Sequence, residues 1–287
     1  MKNLFTSVVA VIALVFSGTI QGQTKSLKLE NSLLWEVSGN GLSKPSYLYG
    51  TFHMICAKDY FLSEKTKKAF DKSDKVVFEV NLSDPNELNY AAKMGMGEKP
   101  LSQTLSTEEL FKLDEVLKKN AGVSVQQVDA LSLTGAMGLI TMKSFGCTDI
   151  KMYEMEFLEA AKKKNLPVGG LETFKSEEIT AANAYSTLEM ISMLNESTIE
   201  GTAKSIVDYK NEDIQSIYNF NTRKEVMNAK AKKYMLDERN TNWVKQMSEM
   251  MKKEGVFFAF GAAHLGGELG IINLLRQAGY KVKPVTK

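Results

Sequence analysis

Charge of one sign is what this sequence most clearly lacks. Its 36 basic and 34 acidic residues are interspersed and leave a formal net charge of +2 over 287 residues. That excludes the basic footprint of a nucleic-acid-binding protein. Local lysine runs such as Lys162-Lys163-Lys164 read as solvated helix faces. Long apolar runs are missing beyond the N-terminus, so no later segment is expected to span a membrane. Repeats and low-complexity tracts are absent too. With 44% apolar and 24% charged residues, the composition is globular, and the length allows one large domain. Cysteine and histidine are scarce, with two of each.

The first 23 residues read as a secretory signal peptide. Lys2 is followed by an apolar run over 8–16, then by small and polar residues to Gln23, with no acidic residue. The run is short for a membrane span. No cysteine stands in the cleavage region near Gly22 or Gln23, which argues against a lipid anchor there. Residues 24–287 are therefore expected to form one exported domain, periplasmic or extracellular, with no stable membrane anchor after signal cleavage. An uncleaved anchor is the alternative. In an oxidising compartment Cys56 and Cys147 are expected to pair. That bond would close a loop of about 90 residues and stabilise by about 4–5 kcal/mol in the chain-entropy model. Cys56 also stands three residues after His53, so a metal-ligand role is its alternative.

Strand-like stretches occur near both ends. Residues 33–37 and 46–49 flank a turn holding Gly39, Asn40, Gly41 and Pro45, which predicts a hairpin. Residues 75–80 (Lys-Val-Val-Phe-Glu-Val), 166–171 and 256–260 (Val-Phe-Phe-Ala-Phe) read as buried strands, and 281–285 as a closing one. Between them the pattern is helical. Helices are expected over 63–71, most of 84–145, 151–164, 175–254 and 268–278, with a capping box at Ser106 and Glu109. Methionine-rich stripes there read as adaptable core. The expected fold is α/β, with a mixed central sheet built from the N- and C-terminal segments and a large helical middle.

Each histidine ends a Gly-x-x-His after a strand-like run: Gly50-Thr51-Phe52-His53 and Gly261-Ala262-Ala263-His264. Joining both chain ends in one sheet would bring the two loops together at a strand edge, where α/β sheets bind ligands. The glycine three residues before each histidine is expected to allow a sharp exit, including positive φ. Neutral imidazole suits zinc, manganese, iron or cobalt. Two histidines and one carboxylate leave positions open for water and substrate. Glu79, inside an apolar strand, is costly to bury without a partner, and so is the carboxylate expected to bind metal or act as general base. Pairing of Glu79 with Arg239, with both histidines as structural loop residues, is the competing reading.

These residues resemble the TraB/GumN/Tiki family. Residues 46–53 resemble its first Gly-x-x-His block, 76–85 its acidic strand and turn, 257–264 its second block, and 274–282 its last helix and strand. Gly170-Leu171-Glu172-Thr173 and Glu238-Arg239-Asn240 resemble secondary positions. Relatives often have glycine before the second histidine, where this chain has Ala263. Tiki members are described as metal-dependent proteases supported by manganese or cobalt. The resemblance therefore implies His53 and His264 as metal ligands and Glu79 as ligand or base. It also implies Arg239 as a group steadying a carboxylate or an oxyanion, and Glu172 as a supporting position near the substrate.

Three functions are compatible with these observations. The first is an exported metallopeptidase-like hydrolase on peptide or protein substrates, using manganese, cobalt or zinc. The second is a non-catalytic exported binding protein of the same fold. The third is a metal-dependent esterase, since metal-activated water attacks either carbonyl.

Overall fold

Six strands order themselves as β6-β4-β7-β2-β1-β8 in the computed structural model, which describes residues 29–286. The expected signal segment, residues 1–23, lies outside them. The eight strands among the described residues are β1 (Leu34–Ser38), β2 (Ser46–Thr51), β3 (Met54–Cys56), β4 (Lys75–Val80), β5 (Ile150–Met152), β6 (Val168–Glu172), β7 (Val256–Gly261) and β8 (Lys281–Pro284). β6, β4, β7 and β2 run parallel to one another. β1 is antiparallel to both β2 and β8. The mixed sheet is thus built from both chain ends, as the apolar runs required.

β2 and β7 are buried at every residue and β4 at all but its first. A strand covered on both faces has no need of polar alternation, and this is why these stretches read as continuous apolar runs. Successive side chains of a strand face opposite ways. Phe257 packs with Phe70 and Phe157 of the helices Glu64–Asp71 and Tyr153–Lys164. Phe260, on the other face, packs with Trp243 of the helix Arg239–Met251. Each phenyl ring contributes roughly 1.5–3 kcal/mol by leaving water. The hairpin turn between β1 and β2 places Gly39, Asn40 and Gly41 at positive φ, where glycine and asparagine are least strained.

The helical middle has a second core. Leu113 and Leu117 of Thr107–Ala121, Ile140 of Leu133–Ser144 and Ile191 of Thr187–Met193 form it with Leu101. The Ser106–Glu109 capping box is present. In the helix Tyr153–Lys164, Phe157 and Leu158 are buried, whereas Met155 and the preceding Met152 are exposed. The expected apolar face is therefore narrower than the sequence pattern.

Two short strands are additions to the expected picture. β3 and β5 pair antiparallel as a separate two-stranded sheet, with Met54 opposite Met152 and Cys56 opposite Ile150. Beside them the Cys56–Cys147 disulfide is formed, with Cα atoms 6.1 Å apart. Its sulfur is thereby committed, which removes the metal-ligand alternative for Cys56. No helix among the described residues is long and apolar enough to cross a membrane.

Candidate metal and catalytic centre

The carboxyl ends of the parallel strands meet at one edge. Thr51 at the end of β2 lies opposite Gly261 at the end of β7, and Val80 at the end of β4 lies opposite Glu172 at the end of β6. Every candidate residue read from the sequence arrives there. His53 follows β2, Glu79 is the penultimate residue of β4, Glu172 closes β6, and His264 follows β7 in the short turn Ala262–His264. Arg239 opens the helix that crosses this edge, directly after the six-residue π-helical stretch Lys233–Glu238. Such wide turns are frequent at functional sites, because they rotate the residues that follow.

Glu79 stands at the centre. One of its oxygens accepts the Gly261 backbone N–H at 2.7 Å, and the other accepts Arg239 Nη2 at 2.6 Å. His53 Nε2 lies 3.6 Å from Glu79 Oε1. Burial works against the charge on Glu79, but Arg239, the two histidines and the Gly261 amide outweigh it and hold the carboxyl down at about 2.

Both imidazoles are tied from behind. His264 Nδ1 is 2.6 Å from Asn240 Oδ1, and Asn240 Nδ2 donates to the Leu269 carbonyl at 2.8 Å. The second bond orients the amide, so Nδ1 carries the proton and Nε2 a lone pair. Arg239 Nη1 faces that Nε2 at 3.3 Å. Burial, then the Arg239 charge, push His264 down to about 3, so it is neutral. Its ring also lies over Trp243, with centroids 4.5 Å apart. His53 Nδ1 is 2.9 Å from Glu154 Oε1, which also accepts the Thr51 hydroxyl at 2.6 Å. Desolvation by its neighbours disfavours a charge on His53, whose side chain is half exposed, yet Glu154, with Glu79 and Glu177, lifts it to about 10.

The two glycines do not provide positive φ, contrary to the expectation from sequence. They provide room. A Cβ on Gly261 would come within 2.9 Å of His53 Nε2 and 3.3 Å of Glu79 Oε1, and one on Gly50 within 2.9 Å of the Ala262 backbone. The left-handed residue is His53 itself, at φ 54°. For a residue with a Cβ that costs roughly 1–2 kcal/mol, the kind of strain found where the surroundings over-determine a functional group.

Arg239 carries more than the pairing weighed in the sequence. Its Nη2 bonds Glu79 at 2.6 Å, Glu172 at 2.5 Å and Glu177 at 3.2 Å. The guanidinium also lies over the Trp243 ring at 4.7 Å. Glu79, Glu172 and Glu177 place carboxylate oxygens within 4.8 Å of one another, a possible acidic metal-binding triad. Their negative charge is met here by Arg239. Burial and the neighbouring carboxylates push Glu177 upward despite that cation.

The donor types of His53, Glu79 and His264 suit a divalent metal, although among the described residues the three ligand atoms that lie within 4.8 Å of one another are those of Glu79, Glu172 and Glu177 and not of the histidines. Metal-binding histidines characteristically give the N–H of their other nitrogen to a carboxylate or carbonyl, and Glu154 and Asn240 occupy those positions. Those two residues, with Glu177 and Trp243, were not assigned from the sequence. Asn240 stood within the quoted Glu238-Arg239-Asn240 without a role. Glu154 stands in a stretch (Tyr153-Glu154-Met155-Glu156) that gives no local signal of burial.

The model of the TraB/PrgY/gumN family matches residues 33–284. Metalloprotease TIKI1 of Xenopus tropicalis is 24% identical over 88% of this chain. Metalloprotease TIKI2 of Danio rerio is 24% identical over 90% of it, and Metalloprotease TIKI1 of Homo sapiens 22% over 93%. The chain covers only 61%, 62% and 64% of those relatives' lengths, respectively. No solved structure matches.

Proposed function

The chain belongs to the TraB/PrgY/gumN family, and on that premise we propose that it is an exported metal-dependent hydrolase that cleaves peptide bonds. One observation carries the reading. His53 and His264, the only histidines of the chain, reach the same buried ion set, His53 Nε2 3.6 Å from Glu79 and His264 Nε2 3.3 Å from the Arg239 that binds Glu79, with each Nδ1 tied back to an acceptor. The relatives named metalloproteases support the peptide-bond part of it. The disulfide fits an oxidising compartment and supports export.

His53 Nε2, His264 Nε2 and a Glu79 oxygen would hold the cation, a set that suits zinc, manganese or cobalt. A divalent ion there would supply Lewis acidity, lowering the pKa of water and polarising the scissile carbonyl. The protein's own groups do the rest. His264 is already neutral and presents its lone pair. His53 would have to be neutral to serve as a ligand. Glu79 stays ionised, and Arg239 holds it in place, with its N–H donors shared among Glu79, Glu172, Glu177, the Met235 carbonyl and His264. For His264 Nε2 to serve as a ligand, Arg239 Nη1, 3.3 Å away, would have to release it, and that N–H would then be available to negative charge on a substrate oxygen.

A second reading is favoured by that same arginine. Arg239 already satisfies Glu79, Glu172, Glu177 and the His264 lone pair, which a non-catalytic exported binding protein would retain. Cleavage of a peptide library by full-length mature protein separates the two. Chelator-sensitive cleavage restored by manganese, cobalt or zinc supports the hydrolase. Parallel ester substrates decide whether peptide is the preferred carbonyl. A metal-loaded protein that cleaves neither class leaves the binding reading.

A further inference from the structure

The disulfide and the left-handed histidine belong to one local assembly. Cys56 closes β3, three residues after His53, and Cys147 lies three residues before β5 begins. The two strands pair as Met54 with Met152, Ile55 with Lys151 and Cys56 with Ile150. The ladder continues past both ends. Tyr153 N–H donates to the His53 carbonyl at 2.9 Å, and Ala57 N–H to the Asp149 carbonyl at 2.9 Å. The disulfide therefore braces one end of the ladder, and His53 and Tyr153 form the other.

Glu154 is the next residue after Tyr153. Its Oε1 meets His53 Nδ1 at 2.9 Å and Thr51 Oγ1 at 2.6 Å. Its Oε2 is buried with no hydrogen-bond partner among the described residues. A carboxylate half satisfied in this way does not hold its own position strongly, since a buried unpaired oxygen favours escape to water. A two-stranded ladder of three residues each is marginal in isolation. Its covalent brace is the Cys56–Cys147 bond.

We propose that the Cys56–Cys147 disulfide is the positioning clamp of His53. It keeps β3 and β5 in the register that delivers Glu154 to His53 Nδ1, and opening it releases the imidazole from its set orientation. Only the consequence for metal affinity rests on the hydrolase reading. A dithiol reductant opens the bond by exchange: its two thiols close into a disulfide as Cys56 and Cys147 become thiols.

The experiment uses the untagged mature chain labelled with ¹⁵N-histidine and free of metal. With only two histidines, its ring signals divide between His53 and His264. Wild type is expected to give one hydrogen-bonded, slowly exchanging Nδ1–H for each. Replacing both cysteines (Cys56→Ser with Cys147→Ser) is expected to abolish the His53 signal and leave that of His264, which reports that the rest of the site is folded. Glu154→Ala with the disulfide intact is expected to do the same, and Glu154→Gln, which keeps an acceptor, to restore the signal. Two persisting signals in the cysteine variant would overturn the proposal. Loss of both would overturn it too, since the disulfide would then serve the fold as a whole.

Affinity for manganese, cobalt or zinc alone gives the second readout. The cysteine variant and Glu154→Ala are each expected to lose 10–100-fold, and combining them is expected to add nothing further, because both act through His53. Additive losses contradict the clamp. A wild type that binds none of these ions refutes the hydrolase reading, and the ring signals then decide the clamp alone.

Discussion

His264 gives its Nδ1 proton to the side-chain oxygen of Asn240, 2.6 Å away, and Asn240 is itself oriented by its bond to the Leu269 carbonyl. That chain of two bonds determines which histidine nitrogen faces Arg239. Asn240→Ala is expected to free the ring tautomer and to weaken metal binding by about 10–100-fold. Competition against a chelating dye measures it. An unchanged affinity would mean that Asn240 only fills space.

Arg239 is the cation on which three carboxylates depend. Arg239→Met removes one partner from a buried ion set, a change that typically costs about 3–5 kcal/mol. Thermal unfolding is expected to fall accordingly in chelator and to recover in part with millimolar divalent ion, which the vacated triad of Glu79, Glu172 and Glu177 then accepts. Arg239→Lys is expected to recover less than the wild type, because a point charge does not bridge three carboxylates as the planar fork does. A variant as stable as wild type in chelator would contradict the charge argument.

The metal-free protein is expected to be most stable near neutral pH. Glu79 is held at about 2 against an ordinary 4.5, and His264 at about 3 against 6.5. Their contributions are complete above the ordinary values and are lost as pH falls toward the folded ones. His53 is raised to about 10 from 6.5, so its contribution is complete below 6.5 and is lost as pH rises through about 10. Glu154→Gln removes the charge that faces His53 Nδ1. Denaturant titrations across pH should therefore show the alkaline limb flattened in Glu154→Gln and the acid limb kept. Parallel alkaline limbs in the two proteins would contradict this assignment.

The centre was legible wherever chemistry coincided with long apolar runs. Residues 76–80 and 256–260 reveal themselves as buried strands because both faces are covered, and a glutamate inside one of them requires a partner. The two Gly-x-x-His stretches follow strands that end on the same edge, so topology brings together residues about 200 positions apart in the chain. β3 and β5 were not legible, because three residues are too few to display an alternation. Glu154 was missed with them, since only their pairing brings it to His53. The π-helical stretch Lys233–Glu238 has no pattern that separates it from an ordinary helix, so the turn that aims Arg239 and Asn240 was hidden. The glycines were singled out for the wrong reason. Gly50 and Gly261 allow close approach, and the strained backbone belongs to His53.

The most direct test is the metal content of the mature protein, measured together with peptide cleavage, in wild type, His53→Ala and His264→Ala. About one divalent ion per chain is predicted in wild type after loading with manganese, cobalt or zinc, with metal and cleavage lost together in both variants. A wild type that retains no ion after loading, or variants that keep both metal and cleavage, would contradict the account and leave the two histidines as loop anchors around Arg239.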